Sequence, residues 1–314
     1  MTLPLRTRVF GVLERAASKP VEETKDFPAK RAGRLQLQRS GIGRWLFGTP
    51  DRSVTTTEYT ADIAGRPARV LVHRPASTGP LPVVLNLHGG GWVQGNPEQS
   101  AWFASRVAAA AGVVVVSPTY RLAPEHTFPA QVEDSVDALQ WVVDRAETLG
   151  ADPTRVAVMG DSAGGGLSAT TALLARDADG PALRAQVLLY PGVEAYDRWP
   201  SEDEFADSAV LTSANMRAFV RLYLGEAYGT DDWRASPIKA PSHADLPPAF
   251  VAVADHDPLA DNARRYSDVL RAAGVTVEER EYSALHGFIS LPGVSPAATE
   301  AVRDVSAFLR THLL

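Results

Sequence analysis

Apolar and polar positions follow three patterns along this chain. From residue 54 the segments VTTTEYT (54–60) and ARVLVHR (68–74) alternate residue by residue, as two strands of an antiparallel ribbon do. Short, nearly unbroken apolar runs come next: LPVVLNLH (81–88), GVVVVSP (112–118), RVAVMG (155–160), QVLLYP (186–191) and AFVAVA (249–254). Runs of that length suit strands buried on both faces of a parallel sheet. VTVEEREY at 275–282 alternates again, which predicts an edge strand. Helical spacing fills the intervals at 98–111, 130–149, 163–177, 260–273 and 297–312. Strands alternating with helices predict an α/β fold built on a mainly parallel sheet. There is no internal repeat and no low-complexity segment.

Two stretches break the alternation. One is residues 1–50. The other, 192–235, carries Trp199, Phe205, Phe219, Tyr223, Tyr228 and Trp233. A long aromatic insertion between two sheet strands is expected to form part of a cap over a pocket, as well as a small core of its own. The chain thus divides into a cap segment at 1–50, a catalytic body at 51–191 and 236–314, and a cap insertion at 192–235.

Composition narrows the classes. The 314 residues are 45% apolar and 22% charged, enough apolar material for one large core. A net charge of -6 disfavours a nucleic-acid partner, because phosphate binding needs an excess of Lys and Arg. The absence of cysteine excludes disulfides, thiolate metal sites and a Cys nucleophile. The first 20 residues lack the apolar run of a secretory signal, and no stretch is apolar for long enough to span a membrane. The expectation is a soluble cytoplasmic protein without stable membrane anchoring. Charge is uneven: residues 1–50 hold a balance of +6 and the rest -12. The basic residues are scattered rather than clustered, which fits a solvated helical segment better than a polyanion-binding arm.

Gly160-Asp161-Ser162-Ala163-Gly164 follows an apolar run and precedes a helical pattern. That is G-x-S-x-G between strand and helix, the setting in which a serine nucleophile sits on a tight turn with small neighbours. The helix N-terminus behind it favours negative charge. His88-Gly89-Gly90-Gly91-Trp92 follows LPVVLNL, where an oxyanion loop belongs. Gly89 and Gly90, with Ala163, are the expected N–H donors to an oxyanion. Trp92 and Asp161, beside these two motifs, are candidate substrate-binding residues.

A serine needs a base, and the base needs an orienting acid. With the order serine, acid, histidine, the candidates are His286, with His256 second, and Asp257, with Asp255 second. The remaining carboxylates of Asp255-His256-Asp257-Pro258-Leu259-Ala260-Asp261 are expected to cap the helix that starts near residue 259. No metal ion or organic cofactor is called for.

HGGGW (88–92), YRLAPE (120–125), GDSAGG (160–165), DPLAD (257–261) and HGF (286–288) occur in the order found in hormone-sensitive-lipase-like esterases of bacteria, and over residues 70–310 the chain resembles that family. The resemblance implies an α/β-hydrolase fold, with an eight-stranded sheet and a helical cap made of the N-terminal segment and an insertion. It implies Ser162, Asp257 and His286 as the triad and short- to medium-chain acyl esters as substrates. It also implies a homodimer contact along the edge strand 275–282. Asn262 departs from the glutamate common at that place in the family. Two other readings stay open: an amidase or deacetylase on the same triad, and a non-catalytic small-ligand receptor.

Overall fold

The computed structural model describes residues 2–17, 19–178 and 180–314. Eight strands form one sheet: β1 (Val54–Ile63), β2 (Arg66–Pro75), β3 (Leu81–Leu87), β4 (Val114–Pro118), β5 (Ala151–Asp161), β6 (Leu183–Leu189), β7 (Ala249–His256) and β8 (Val277–Leu285). Their order across the sheet is β1-β2-β4-β3-β5-β6-β7-β8. β1 and β2 pair antiparallel, β2 joins β4 antiparallel, and every pairing from β4 to β8 is parallel. Strand 277–285 is the edge that its alternating pattern predicts.

Eleven α-helices lie among the described residues: α1 (Leu5–Ala17), α2 (Phe27–Arg39), α3 (Gly41–Leu46), α4 (Ala101–Ala111), α5 (Ala130–Asp144), α6 (Ala146–Leu149), α7 (Ala163–Asp177), α8 (Pro200–Glu204), α9 (Ser213–Leu224), α10 (Ala260–Ala272) and α11 (Ala297–Leu313). None is long and apolar enough to cross a membrane.

The apolar runs are continuous because both sheet faces are covered. Val83, Leu85, Leu87, Val156 and Val158 point into a core shared with α5, α7 and α10. Val84, Ala157 and Met159, one residue out of phase, point into a second core with α4 and α11.

Chain order reverses between β3 and β5: β4 lies on one side of β3 and β5 on the other. The loops leaving the carboxyl ends of β3 and β5 therefore diverge and leave a crevice, the place where open α/β sheets bind ligands. The glycine run leaves β3 there and Ser162 leaves β5 there.

Residues 1–50 and the 192–235 insertion carry helices with local start signals. Asp26 caps α2 by accepting from the Ala29 N–H, Ser40 caps α3 through the Gly43 N–H, and Thr212 caps α9 through the Asn215 N–H. A small apolar cluster of Val21, Phe27, Val93, Ala123, Leu211, Phe219 and Leu259 joins the N-terminal segment, the insertion and the loops of the body. Two hydrogen bonds reinforce that junction, from Val21 N–H to Asn215 Oδ1 (2.9 Å) and from Val210 N–H to Glu14 Oε2 (2.8 Å).

The loop after β4 is held by Asp134 of α5. This fully buried carboxylate accepts from the Arg121 N–H at 2.6 Å, from Arg121 Nε at 2.8 Å and from Arg66. Removing one partner of a buried ion pair leaves uncompensated charge, although both guanidinium groups here still reach water. Asp134→Ala should therefore lower stability by about 3 kcal/mol. Glu133→Ala, at an exposed partner of Arg121, should cost less than about 1 kcal/mol. Urea midpoints of the two variants check this. Equal, small shifts would show that the buried carboxylate does not organise the loop.

Candidate active site

The β5–α7 connection brings Ser162 to the surface of the crevice with φ 55° and ψ -120°. Positive φ is unfavourable for any residue with a Cβ. Three backbone hydrogen bonds hold it: Ser162 N–H to Leu189 O (2.9 Å), and the N–H groups of Gly166 and Gly192 to Ser162 O (both 3.0 Å). The turn closes only because its neighbours are glycines. A Cβ on Gly160 would overlap the Gly164 carbonyl, and one on Gly164 would overlap the carbonyl of Leu87.

Ser162 Oγ lies 2.8 Å from His286 Nε2, and His286 Nδ1 lies 2.6 Å from Asp257 Oδ2. A carboxylate only accepts, so Nδ1 carries the imidazole proton and Nε2 is left to accept the serine hydroxyl. Asp257 is fully buried, and its other oxygen accepts the Leu259 N–H at 2.9 Å. Tyr190 packs edge-on against the His286 ring at 5.0 Å. Three side chains from three different loops thus form one hydrogen-bonded line.

The second candidates form a pair elsewhere. His256 Nδ1 lies 2.5 Å from Asp255 Oδ1, which also accepts the Ala284 N–H. His256 lines a separate cavity of about 390 Å³ beside α1 and residues 203–209. The expected capping of α10 by Asp255 and Asp261 does not occur. That helix has no side-chain cap at Leu259. Asp261 instead accepts the Ser201 N–H of α8, which ties the insertion to the body. Asn262 does similar work, its Oδ1 accepting the N–H groups of Val193 and Glu194 at 3.2 and 3.1 Å.

The glycine loop corrects one expectation. The Gly89 N–H donates to Asp161 Oδ1 at 3.0 Å and is not available to an oxyanion. A Cβ on Gly89 would run into the same carboxylate. The loop residues that line the cavity with Ser162 are Gly90 and Gly91, and Ala163 opens α7 directly after the serine. With the first N–H of the run held by Asp161, Gly90 and Gly91 are the glycines of the loop beside Ser162 in the cavity. His88 braces the loop from beneath. Its ring stacks on Tyr120 at 4.2 Å, the Tyr120 hydroxyl donates to His88 O at 2.6 Å, and burial pushes its imidazole down to about 4, so the ring is neutral.

Trp92 also departs from expectation. Its indole stacks on Tyr223 at 4.4 Å and is buried beneath the loop rather than lining the cavity. Asp161 does line the cavity, but its role in the loop is to seat Gly89.

The cavity is about 700 Å³. Phe10, Val21 and Phe47 line it from the N-terminal segment, and Val210, Leu211 and Phe219 from the insertion. Of the seven aromatics in 192–235, Phe219 alone lines it. Trp199 lies under Arg265, Phe205 rests on His256, and Tyr228 meets Tyr196 edge-on. A residue that carried no sequence signal connects the N-terminal segment to the glycine loop. Arg31 of α2 donates to Val93 O (2.8 Å), Ala123 O (2.6 Å) and Glu125 (2.8 Å), and so ties the N-terminal segment to both the glycine loop and the YRLAPE segment.

Comparison with known proteins places these features in a family. A family model described as the alpha/beta hydrolase fold matches residues 84–290. The chain is 45% identical to the carboxylesterase NlhH of Mycobacterium tuberculosis over 235 residues, 73% of this chain and 74% of that protein. It is 33% identical to the ethyl acetate hydrolase of Pseudomonas putida over 268 residues, 84% of this chain and 82% of that protein. The crystal structure of a hyperthermophilic esterase from the archaeon Pyrobaculum calidifontis superposes with a TM-score of 0.91 at 34% identity, covering 99% of both chains.

Asp161 gives a pH-dependent prediction. Burial pushes its carboxyl up to about 6, against the pull of the Gly89 N–H and of the His286 and Arg34 charges. A raised native pKa contributes stability below the unfolded value near 4, and that contribution is lost as pH rises through about 6. Asp161→Asn keeps an acceptor for Gly89 but has no charge to desolvate. It should be more stable than the parent by roughly 2 kcal/mol at pH 8, with the gain vanishing toward pH 4. Denaturation midpoints at both pH values check this; a difference independent of pH would show that the buried charge carries no such cost.

Proposed function

The chain belongs to the alpha/beta hydrolase fold family, in its hormone-sensitive-lipase-like esterase branch, and we propose that it hydrolyses short- to medium-chain acyl esters through Ser162, His286 and Asp257. It is a carboxylic ester hydrolase, like its named relatives. The observation that carries the assignment of residues is the unbroken line Ser162 Oγ, His286 Nε2, His286 Nδ1, Asp257 Oδ2, with links of 2.8 and 2.6 Å. A non-catalytic receptor on this scaffold would have no use for a base seated between the serine and the acid.

In the proposed cycle Ser162 Oγ attacks the ester carbonyl while its proton passes to His286 Nε2. The carbonyl oxygen becomes an oxyanion facing the N–H groups of Gly90, Gly91 and Ala163. Collapse of the tetrahedral intermediate breaks the bond to the alcohol oxygen, which takes the proton from His286 and leaves. Water then attacks the acyl-enzyme, gives its proton to His286, and the second collapse returns the proton to Ser162 and releases the acid. Asp257 keeps the imidazole in the productive tautomer and stabilises its cationic form.

Residues 1–50 and 192–235 are proposed as the two halves of a cap. Both contribute walls to the cavity over Ser162, and they share one apolar cluster. A bounded apolar wall supports a limit on acyl length. The short acyl group named for the ethyl acetate hydrolase of Pseudomonas putida points the same way.

Four outcomes are expected. Ser162→Ala and His286→Ala should each lower kcat for para-nitrophenyl esters by about 10⁴–10⁶ in folded protein. Asp257→Asn should cost about 10⁴, far more than Asp255→Asn. A His286→Ala enzyme near the parental rate, or the reverse order for the two aspartates, would remove those residues from the mechanism. Along a series of acyl lengths the rate should climb by about 0.8 kcal/mol of binding for each methylene that fits, then fall beyond about ten carbons. Removing residues 1–40 should broaden that profile or abolish activity; an unchanged profile at full rate would exclude the N-terminal segment from the pocket.

A further inference from the structure

One charged group in the cavity takes no part in that mechanism. Helix α2 presents two arginines one turn apart, and they differ sharply in their surroundings. Arg31 is occupied by two backbone carbonyls and Glu125. Arg34 lines the cavity together with Ser162 and His286. Among the described residues no carboxylate lies within ion-pair distance of its guanidinium. Its Nε is closed off from solvent and has no hydrogen-bond partner. Burial pushes its pKa down, with the more distant Asp161 charge pulling the other way.

A guanidinium held in a cavity without a partner is costly, and the cost falls when an anion enters. The other charges of the wall do not meet the need. Asp161 is turned to the Gly89 N–H, Glu14 accepts the Val210 N–H, and Glu23 is exposed to solvent. Lys30, one helical turn before Arg34, lines the same cavity and adds a second positive charge, with Nζ 3.0 Å from Thr24 Oγ1. Its pKa is pushed down by burial and by the charge of Arg34, so the two cations already share one field. A planar guanidinium with donors in a fixed fork matches a carboxylate in particular.

We propose that Arg34 is a specificity-determining residue that selects esters bearing a second, free carboxylate away from the scissile bond. The proposal rests on the esterase reading above and deepens it. The carboxylate can belong to the acyl side, as in a half-ester of a dicarboxylic acid, or to the alcohol side, as in an ester of a hydroxy acid. The chemistry at Arg34 is the same for both.

Matched substrate pairs test this on the full-length enzyme. The acyl-side pair is para-nitrophenyl hydrogen adipate against para-nitrophenyl hexanoate. The alcohol-side pair is para-acetoxybenzoate against para-tolyl acetate. Arg34→Met should lower kcat/KM for the charged member of at least one pair by about tenfold or more, mainly through KM, as expected for a lost charge-assisted hydrogen bond. The neutral member should stay within about threefold, and Arg34→Lys should recover part of the loss. The pair that responds identifies the side. Equal effects on both members of each pair would make Arg34 a positioning residue for Asp161 and overturn the proposal, as would no effect on any. The parent enzyme gives an answer that does not depend on the variants' folding. Adipate should inhibit para-nitrophenyl hexanoate hydrolysis competitively and more strongly than adipamide, and equal inhibition would overturn the proposal. Failure of the parent to hydrolyse the neutral esters would instead contradict the esterase reading itself.

Discussion

A serine at φ 55° and ψ -120° is held against its own conformational preference, at a cost of about 1–3 kcal/mol. It persists because the surroundings leave it no alternative. Its N–H and C=O are tied to Leu189, Gly166 and Gly192, and it stands between the central strand β5 and helix α7. Much else follows from that turn. Glycine is required at 160, against the Gly164 carbonyl, and at 164, because α7 must start against the carbonyl of Leu87. That closeness brings the end of β3 beside the end of β5, and with it the glycine loop. Asp161, one residue before the serine, then reaches across to hold the Gly89 N–H, which leaves Gly90 and Gly91 facing the cavity.

The N-terminal segment and the insertion are tied to the loops around Ser162 by polar contacts as well as by packing. Arg31 reaches from the cap to the glycine loop and to the YRLAPE segment, and Tyr120 of that segment supports His88. Asp134 fixes the same segment from α5. From the other side, Asn262 and Asp261 at the start of α10 hold residues 193, 194 and 201 of the insertion. The cavity is therefore walled by segments distant in sequence, each anchored to a loop that carries a reacting group.

The sheet was legible because double burial leaves a plain mark: both phases of β3 and β5 enter apolar cores, so the runs show no alternation. The start of β5 was not, since its first residues, Ala151 to Arg155, include a polar and partly exposed stretch that reads as a turn. The line through Ser162, His286 and Asp257 was legible from motif order. What order alone left open was the choice between Asp257–His286 and Asp255–His256, two acid–histidine pairs of almost equal length. Only the position of Ser162 Oγ separates them. Nothing in HGGGW reveals that a carboxylate 72 positions later takes the first N–H. Trp92 was misjudged for a related reason. An aromatic beside a glycine run reads as a pocket wall, yet its partner Tyr223 lies in the insertion, and that pairing exists only in the folded chain. Arg34 carried no sequence signal at all; it looked like one more base in a helix of scattered bases.

In the proposed cycle the ester's acyl group is carried by Ser162, activated by His286. Intact and peptide mass spectrometry of enzyme quenched with acid during turnover of para-nitrophenyl acetate measures this directly. One acetyl group per chain, on the peptide containing Ser162, is expected in the parent enzyme and none in His286→Ala. Acetylation of another residue, or label on Ser162 that accumulates equally fast without His286, would contradict it.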